Sequence, residues 1–179
     1  MNQTQFQSGL QRALAFLMAS QGSDGGWGYA TGKQSYAEPT CYALLALRES
    51  EIKTELQTRA LTWLTAHTNS IGALIVTTQS NSAPAANDLS VFDNWGTILA
   101  GFTLQRVGIG AELRERYVKY LLNSRGNLLD KKVGQELKLN PELQAWSWAR
   151  GTASWVEPTA YALLSLKANG LQDHERVRT

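Results

Sequence analysis

"SYAEPTCYALLALR" at residues 35–48 returns at 154–167 as "SWVEPTAYALLSLK", an offset of 119 residues. The match runs upstream in the same register. Trp27, Ala30, Gly32 and Ser35 align with Trp146, Ala149, Gly151 and Ser154, and Tyr29 aligns with Trp148. Self-similarity held in one frame is the mark of a repeat architecture. A second series confirms the period: "RALAFL" (12–17), "RALTWL" (59–64) and "RYVKYL" (116–121) each read as arginine, three residues, an aromatic and leucine. The starts lie 47 and 57 residues apart. One domain over 1–179 is expected, with units at about 5–52, 53–108 and 109–170.

Each unit reads as two helices. Leu10, Ala13, Leu14, Leu17 and Met18 fall on one helical stripe, as do Leu56, Ala60, Trp63, Leu64 and His67, and Leu113, Tyr117, Tyr120 and Leu121. Such stripes predict amphipathic helices. The second helices are different: "CYALLAL" (41–47), "TILAGF" (97–102) and "AYALL" (160–164) carry no charge. A helix apolar on every side is expected to be buried on every side. Alternation of the two kinds predicts two layers, with the apolar helices inside.

The second helices open on Glu-Pro-Thr at 38–40 and 157–159. Proline suits the first helical turn, where its missing N–H costs nothing. Glutamate there meets the positive end of the helix dipole. The central unit reads "VFDNWGTILAGF" (91–102) instead, with Asp93 or Asn94 as the expected cap. Between the two helices of the first unit lies "QGSDGGWGYA" (21–30). A phosphate loop would want a preceding strand and a Gly-Lys-Ser/Thr ending; a helix precedes here, and a turn around Trp27 is the expected reading.

Composition narrows the function. A net charge of +2 gives no electrostatic case for nucleic acid. The single cysteine, Cys41, excludes an internal disulfide and fits a reducing, cytoplasmic setting. No apolar run approaches the ~20 residues of a membrane span, which leaves contact with a membrane surface but not a crossing. "IGALIVTT" (71–78) is β-branched and apolar, suiting an extended loop or a membrane-touching lip.

Arg12, Ala13, Phe16, Leu17, Gln21, Gly25 and Trp27 resemble the glutamine-tryptophan repeat of the squalene-hopene and oxidosqualene cyclases. "EPTAYALLSLK" is similar to the inner-helix starts of those cyclases and of protein prenyltransferase β subunits. Units one and three carry the resemblance. The second unit has Thr68 in the glutamine position with no Gly-x-Trp after it, and the third has Arg125 there. The resemblance implies an all-α fold of αα-hairpins arranged as a partial toroid, with about six main helices. It also implies that Arg12, Phe16, Gln21, Gly25, Trp27, Arg59, Trp63, Arg116 and Tyr120 are repeat-stapling residues.

The same resemblance frames the chemistry. Class II terpene cyclases protonate their substrate with an Asp-x-Asp-Asp motif. Here Trp155, Glu157 and Pro158 stand in its three acidic places, and Tyr36, Glu38 and Pro39 repeat the substitution. Glu157 and Glu38 are thus the candidate acids, against their structural reading as helix starts. Class I synthases need an aspartate-rich magnesium motif, and Asp88 and Asp93 are too sparse for one. Cys41-Tyr42 is similar to the Cys-Tyr pair of the prenyltransferases, but Pro39 occupies the place of their zinc-binding aspartate, so neither a metal nor a cofactor is expected. Trp95, Trp146, Trp148, Trp155, Tyr42 and Tyr161 are the candidate ligand-binding residues, because aromatic faces hold apolar or cationic groups. Three hairpins make an arc about half the size of a catalytic toroid. The expectation is therefore a module that binds an isoprenoid or lipid ligand, or a protein partner, on its concave face. A homodimer, or a heterodimer with a similar half-chain, would complete the ring. The rival is a minimal or split class II cyclase.

Overall fold

The computed structural model describes residues 3–48, 54–75 and 92–178. The chain is mostly helical. Among the described residues it forms α1 (Gln3–Ala19), α2 (Ala37–Leu47), α3 (Thr54–Ala66), a two-residue strand β1 (Leu74–Ile75) paired antiparallel with β2 (Phe92–Asp93), α4 (Asn94–Val107), α5 (Ala111–Asn123), α6 (Lys131–Leu137), α7 (Val156–Ala168) and α8 (Glu175–Arg178). No helix among the described residues is long and apolar enough to cross a membrane. Residues 76–78 of the apolar stretch at 71–78, and Asp88 and Val91, lie outside the described residues.

The three charge-poor helices pack in a row, α4 lying between α2 and α7. The amphipathic helices flank this row: α1 and α3 rest on α2, and α5 rests on α4 and α7. Helix α4 is the most enclosed, with Ile98, Leu99, Ala100 and Leu104 fully buried. Its small residues permit the approach. Gly96 faces the Ala37 side chain of α2, and Gly101 faces Ser165 of α7 and Tyr117 of α5. The flanking helices turn their stripes to this core through Ala60, Trp63 and Leu64, and through Leu113, Tyr117 and Leu121. Burying each large aliphatic side chain contributes about 1.5–3 kcal/mol. The expectation of burial on every side holds for α4 but not for its neighbours: Tyr42 of α2 and Leu164 of α7 are 43% and 52% exposed. Each of those helices has an inner helix on one flank only.

One turn recurs ahead of each of these three helices. In the first unit Gly22 N–H donates to Gly26 O at 2.8 Å, the Trp27 N–H donates to Thr40 Oγ1 at 2.9 Å, and Tyr36 N–H returns to Trp27 O at 2.9 Å. In the second, Asn69 N–H donates to Ala73 O at 2.9 Å, Leu74 N–H to Thr97 Oγ1 at 2.8 Å, and Leu74 pairs with Asp93. In the third, Gly126 N–H donates to Ala145 O at 2.8 Å, Trp146 N–H to Thr159 Oγ1 at 3.3 Å, and Trp155 N–H to Trp146 O at 2.9 Å. Gly72-Ala73-Leu74 therefore fills the frame of Gly25-Gly26-Trp27. That accounts for residues 72–75 as a turn and a short strand, and it supplies the second-unit counterpart that a search for tryptophan misses. Two insertions hide the period. The second unit is expanded after Leu74, and the third is expanded between Gly126 and Ala145, where α6 sits.

Of the residues expected to staple the repeat, Gln21, Gly25 and Trp27 sit in the first of these turns, whereas Arg12 bonds Ser8 of its own helix and Phe16 is 62% exposed. Gln21 Nε2 donates to Gly25 O at 2.8 Å and to Leu56 O at 3.0 Å. The indole N–H of Trp27 reaches back to Leu17 O at 2.8 Å, and that of Trp146 reaches Leu121 O at 3.0 Å. Gly25 has φ +96°, and a Cβ there would stand 2.6 Å from the carbonyl oxygen of Arg59. Only glycine allows α3 to lie so close to the turn.

Candidate functional site

Where the inner helices begin, the equivalent positions of α2 and α4 meet. Glu38, Trp95 and Glu157 each occupy the second residue of their helix. Glu38 is the carboxylate at the centre. Tyr29 Oη donates to its Oε2 at 2.5 Å, and the Trp95 indole N–H donates to its Oε1 at 3.2 Å. Trp95 in turn packs on Trp148, with ring centroids 4.5 Å apart, and edge-on against Tyr161 at 5.4 Å. Tyr161 meets Phe102 edge-on at 5.0 Å. Such offset and T-shaped pairs each add about 0.5–1.5 kcal/mol beyond area burial. Partial desolvation and the bond to Glu38 raise the Tyr29 phenol above its ordinary range.

One helical turn further along, Tyr42 of α2 comes close to Tyr161 of α7. Burial, Tyr161 and the charges of Glu38 and Glu157 push the Tyr42 phenol up to about 12. The two tyrosines come from helices on opposite sides of α4, so they meet in front of it beside Phe102. The result is an aromatic face continued by the exposed Leu164.

Asp93 lies beside this cluster. It caps α4 by accepting the Gly96 N–H at 2.6 Å, while Asn94 is buried and bonds Ser147 O and the Tyr120 hydroxyl. Of the two expected caps, Asp93 is the one used. Burial, partly offset by the Gly96 N–H and reinforced by the nearby charge of Glu38, raises the Asp93 carboxyl above its ordinary range.

The sequence candidates divide accordingly. Glu38, Trp95, Trp148, Tyr42 and Tyr161 come together. Trp146 does not join them: it is 1% exposed, sealed under the Arg176 guanidinium at 4.1 Å, and so holds the third turn rather than facing a ligand. Trp155 points elsewhere. With Leu129, Leu137, Leu139, Leu143 and Leu163 it lines an open groove of about 710 Å³ between α7 and the α6 insertion. Glu157 is exposed and, among the described residues, has no hydrogen-bonded partner. Cys41 is fully buried with its thiol pKa raised by desolvation, and His67 stacks on Trp63 at 4.1 Å.

Tyr29, Phe102, Asp93 and Arg176 were not among the sequence candidates. Tyr29 had a signal, its alignment with Trp148. Arg176 had a weaker one: it follows an acidic residue and precedes valine, as Arg59 and Arg116 precede apolar residues. No family model matches the chain, and no curated protein matches it significantly.

Proposed function

We propose that the chain is an arc of three αα-hairpins that binds an apolar ligand, of isoprenoid or lipid type, on the face of its inner helices. The recurrence of one turn and one threonine bond ahead of α2, α4 and α7 supports the hairpin reading. The carrying observation for ligand binding is the meeting of Tyr42 and Tyr161 in front of Phe102, with Leu164 half exposed beside them. An apolar and aromatic surface with few polar groups fits a hydrocarbon chain. Native mass spectrometry of the purified chain tests this reading. A co-purified lipid, lost in Tyr42→Asp, supports it; a ligand-free chain that also takes up no long-chain isoprenoid alcohol refutes it.

A second reading, proton donation to a polyprenyl double bond, has one observation in its favour. Asp93 is a carboxyl raised above its ordinary range, close to Glu38 and the aromatic cluster. A donor acid has to hold its proton until reaction. Glu38 itself serves as acceptor for two donors, which suits a positioning role.

A further inference from the structure

We propose that the cavity between the second and third turns is a binding site for a small phosphate monoester, separate from the aromatic face of the inner helices. The cavity measures about 630 Å³. Its walls are residues 70–72, Asn94 at the start of α4, α5 from Arg116 onward with Ser124 and Arg125 after it, and Ser147 and Arg150.

The charge of this cavity is one-sided. Arg116, Lys119, Arg125 and Arg150 border it, and among the described residues no aspartate or glutamate does. The chain as a whole carries only +2, so four cations around one cavity are a local concentration. A cleft lined by one sign of charge focuses the field and draws in the opposite ion. The side chains of Lys119 and Arg125 make no hydrogen bond or ion pair among the described residues. Arg116 is fixed in place, its Nη2 donating to Asn69 O at 2.6 Å and to Thr68 O at 3.2 Å. A guanidinium has five N–H donors, so these bonds anchor it and leave others for a ligand. The floor is neutral and satisfied: Tyr120 Oη donates to Asn94 Oδ1 at 2.8 Å, and Asn94 Nδ2 donates to Ser147 O.

The repeat supplies an internal comparison. Gly25 and Gly72 hold the same place in their turns, each with positive φ and each against a carbonyl, that of Arg59 or of Arg116. Counted from those glycines, Asp24 corresponds to Ile71; counted from the arginines, Thr62, Trp63 and Thr68 correspond to Lys119, Tyr120 and Arg125. At the first junction Arg59 donates to Gly22 O at 2.7 Å, and the Trp63 indole N–H meets the Asp24 carboxylate at 3.0 Å. At the second junction the carboxylate is gone, the smaller tyrosine ring turns to Asn94, and two cations replace two threonines. Clasping a turn requires none of these changes, since the first junction is made without them.

Charge and size select the occupant. A phosphate monoester carries about −1.5 to −2 charges at neutral pH and three acceptor oxygens, enough to engage several cations at once, and arginine forks match its geometry. A carboxylate brings a single charge. The volume falls within the roughly 300–1,000 Å³ of small-molecule sites.

Heteronuclear NMR titration of the whole chain with inorganic phosphate at constant ionic strength tests this. Saturable shifts are expected, concentrated at residues 70–72 and 116–125, and acetate should bind at least tenfold more weakly. Lys119→Ala combined with Arg125→Ala, both at exposed positions, should weaken phosphate binding at least tenfold with circular dichroism unchanged. Arg106→Ala combined with Lys167→Ala removes the same charge from exposed positions outside the cavity and should change binding less than twofold. Ile71→Asp, which gives the second turn the carboxylate of the first, should abolish binding, and Ile71→Asn should keep it. No saturable shift, acetate bound as well as phosphate, equal losses in the two double variants, or binding that survives Ile71→Asp overturns the proposal. Binding of phosphatidic-acid vesicles without binding of inorganic phosphate overturns it in favour of a lipid headgroup.

Discussion

Thr97 Oγ1 accepts the backbone N–H of Leu74 at 2.8 Å, the bond that Thr40 makes to Trp27 and Thr159 to Trp146. In each case a threonine in the first turn of an inner helix fixes the strand-like segment that leads into it. Thr97→Val removes the acceptor and leaves a buried N–H without a partner, which costs about 1–3 kcal/mol. Thr97→Ser keeps the hydroxyl and should recover most of that loss. Urea unfolding of the three proteins measures the difference, and equal stability of the valine and serine variants would remove the bond from the account.

Gly25 and Gly32 both have positive φ, at 96° and 71°, but only Gly25 is pressed against a neighbour, the carbonyl of Arg59. Alanine at Gly32 meets open space and should cost about 1–2 kcal/mol of left-handed strain. Alanine at Gly25 carries the same strain and a backbone clash as well, so it should be clearly the more destabilising of the two. Thermal unfolding of both variants separates the close approach of α3 from the conformational preference.

Leu99 is fully buried in α4 between the neighbouring helices. Leu99→Ala should cost about 2–5 kcal/mol, through lost burial and the cavity left behind. Leu164, on the open face of α7, should tolerate alanine with little loss. Denaturant midpoints for the pair test whether α4 is the central helix of the row.

Asp93 makes stability depend on pH with an unusual sign. The unfolded carboxyl loses its proton near 3.8, and the folded one does so at higher pH. Between those values the folded chain holds a proton that the unfolded chain has lost, so Asp93 lowers stability as pH rises through that window. Asp93→Asn keeps a good capping residue and should flatten this slope. A variant whose stability falls as steeply as the wild type over mildly acidic pH would contradict the assignment.

The helical character of the fold was legible because its turns and helix starts use residues that geometry constrains tightly. Arg59 and Arg116 must reach turn carbonyls, Trp27 and Trp146 must reach the carbonyl that ends an outer helix, and Glu-Pro-Thr must open an inner one. The second unit was hard to read because Leu74 needs only to be apolar and buried to serve in the place of Trp27, and because the expansion after it separates Leu74 from Asp93. The site was legible in part. Aromatic residues can be counted in a sequence, but which of them share a surface depends on curvature. Trp146 and Trp148 are two residues apart, yet one is sealed under Arg176 and the other packs on Trp95. Arg176 carries no local signal because its role is defined by two carbonyls far away in the chain.

The ligand-binding account is tested most directly by titrating the chain with a long-chain isoprenoid alcohol while following tryptophan fluorescence, since Trp95 and Trp148 adjoin the aromatic face formed by Tyr42, Phe102 and Tyr161. The account predicts a saturable change that is lost in Tyr42→Asp and Leu164→Asp, both still folded by circular dichroism, and kept in Leu137→Asp on the α6 insertion. No saturable change in the wild type, or a change lost only in Leu137→Asp, would contradict it.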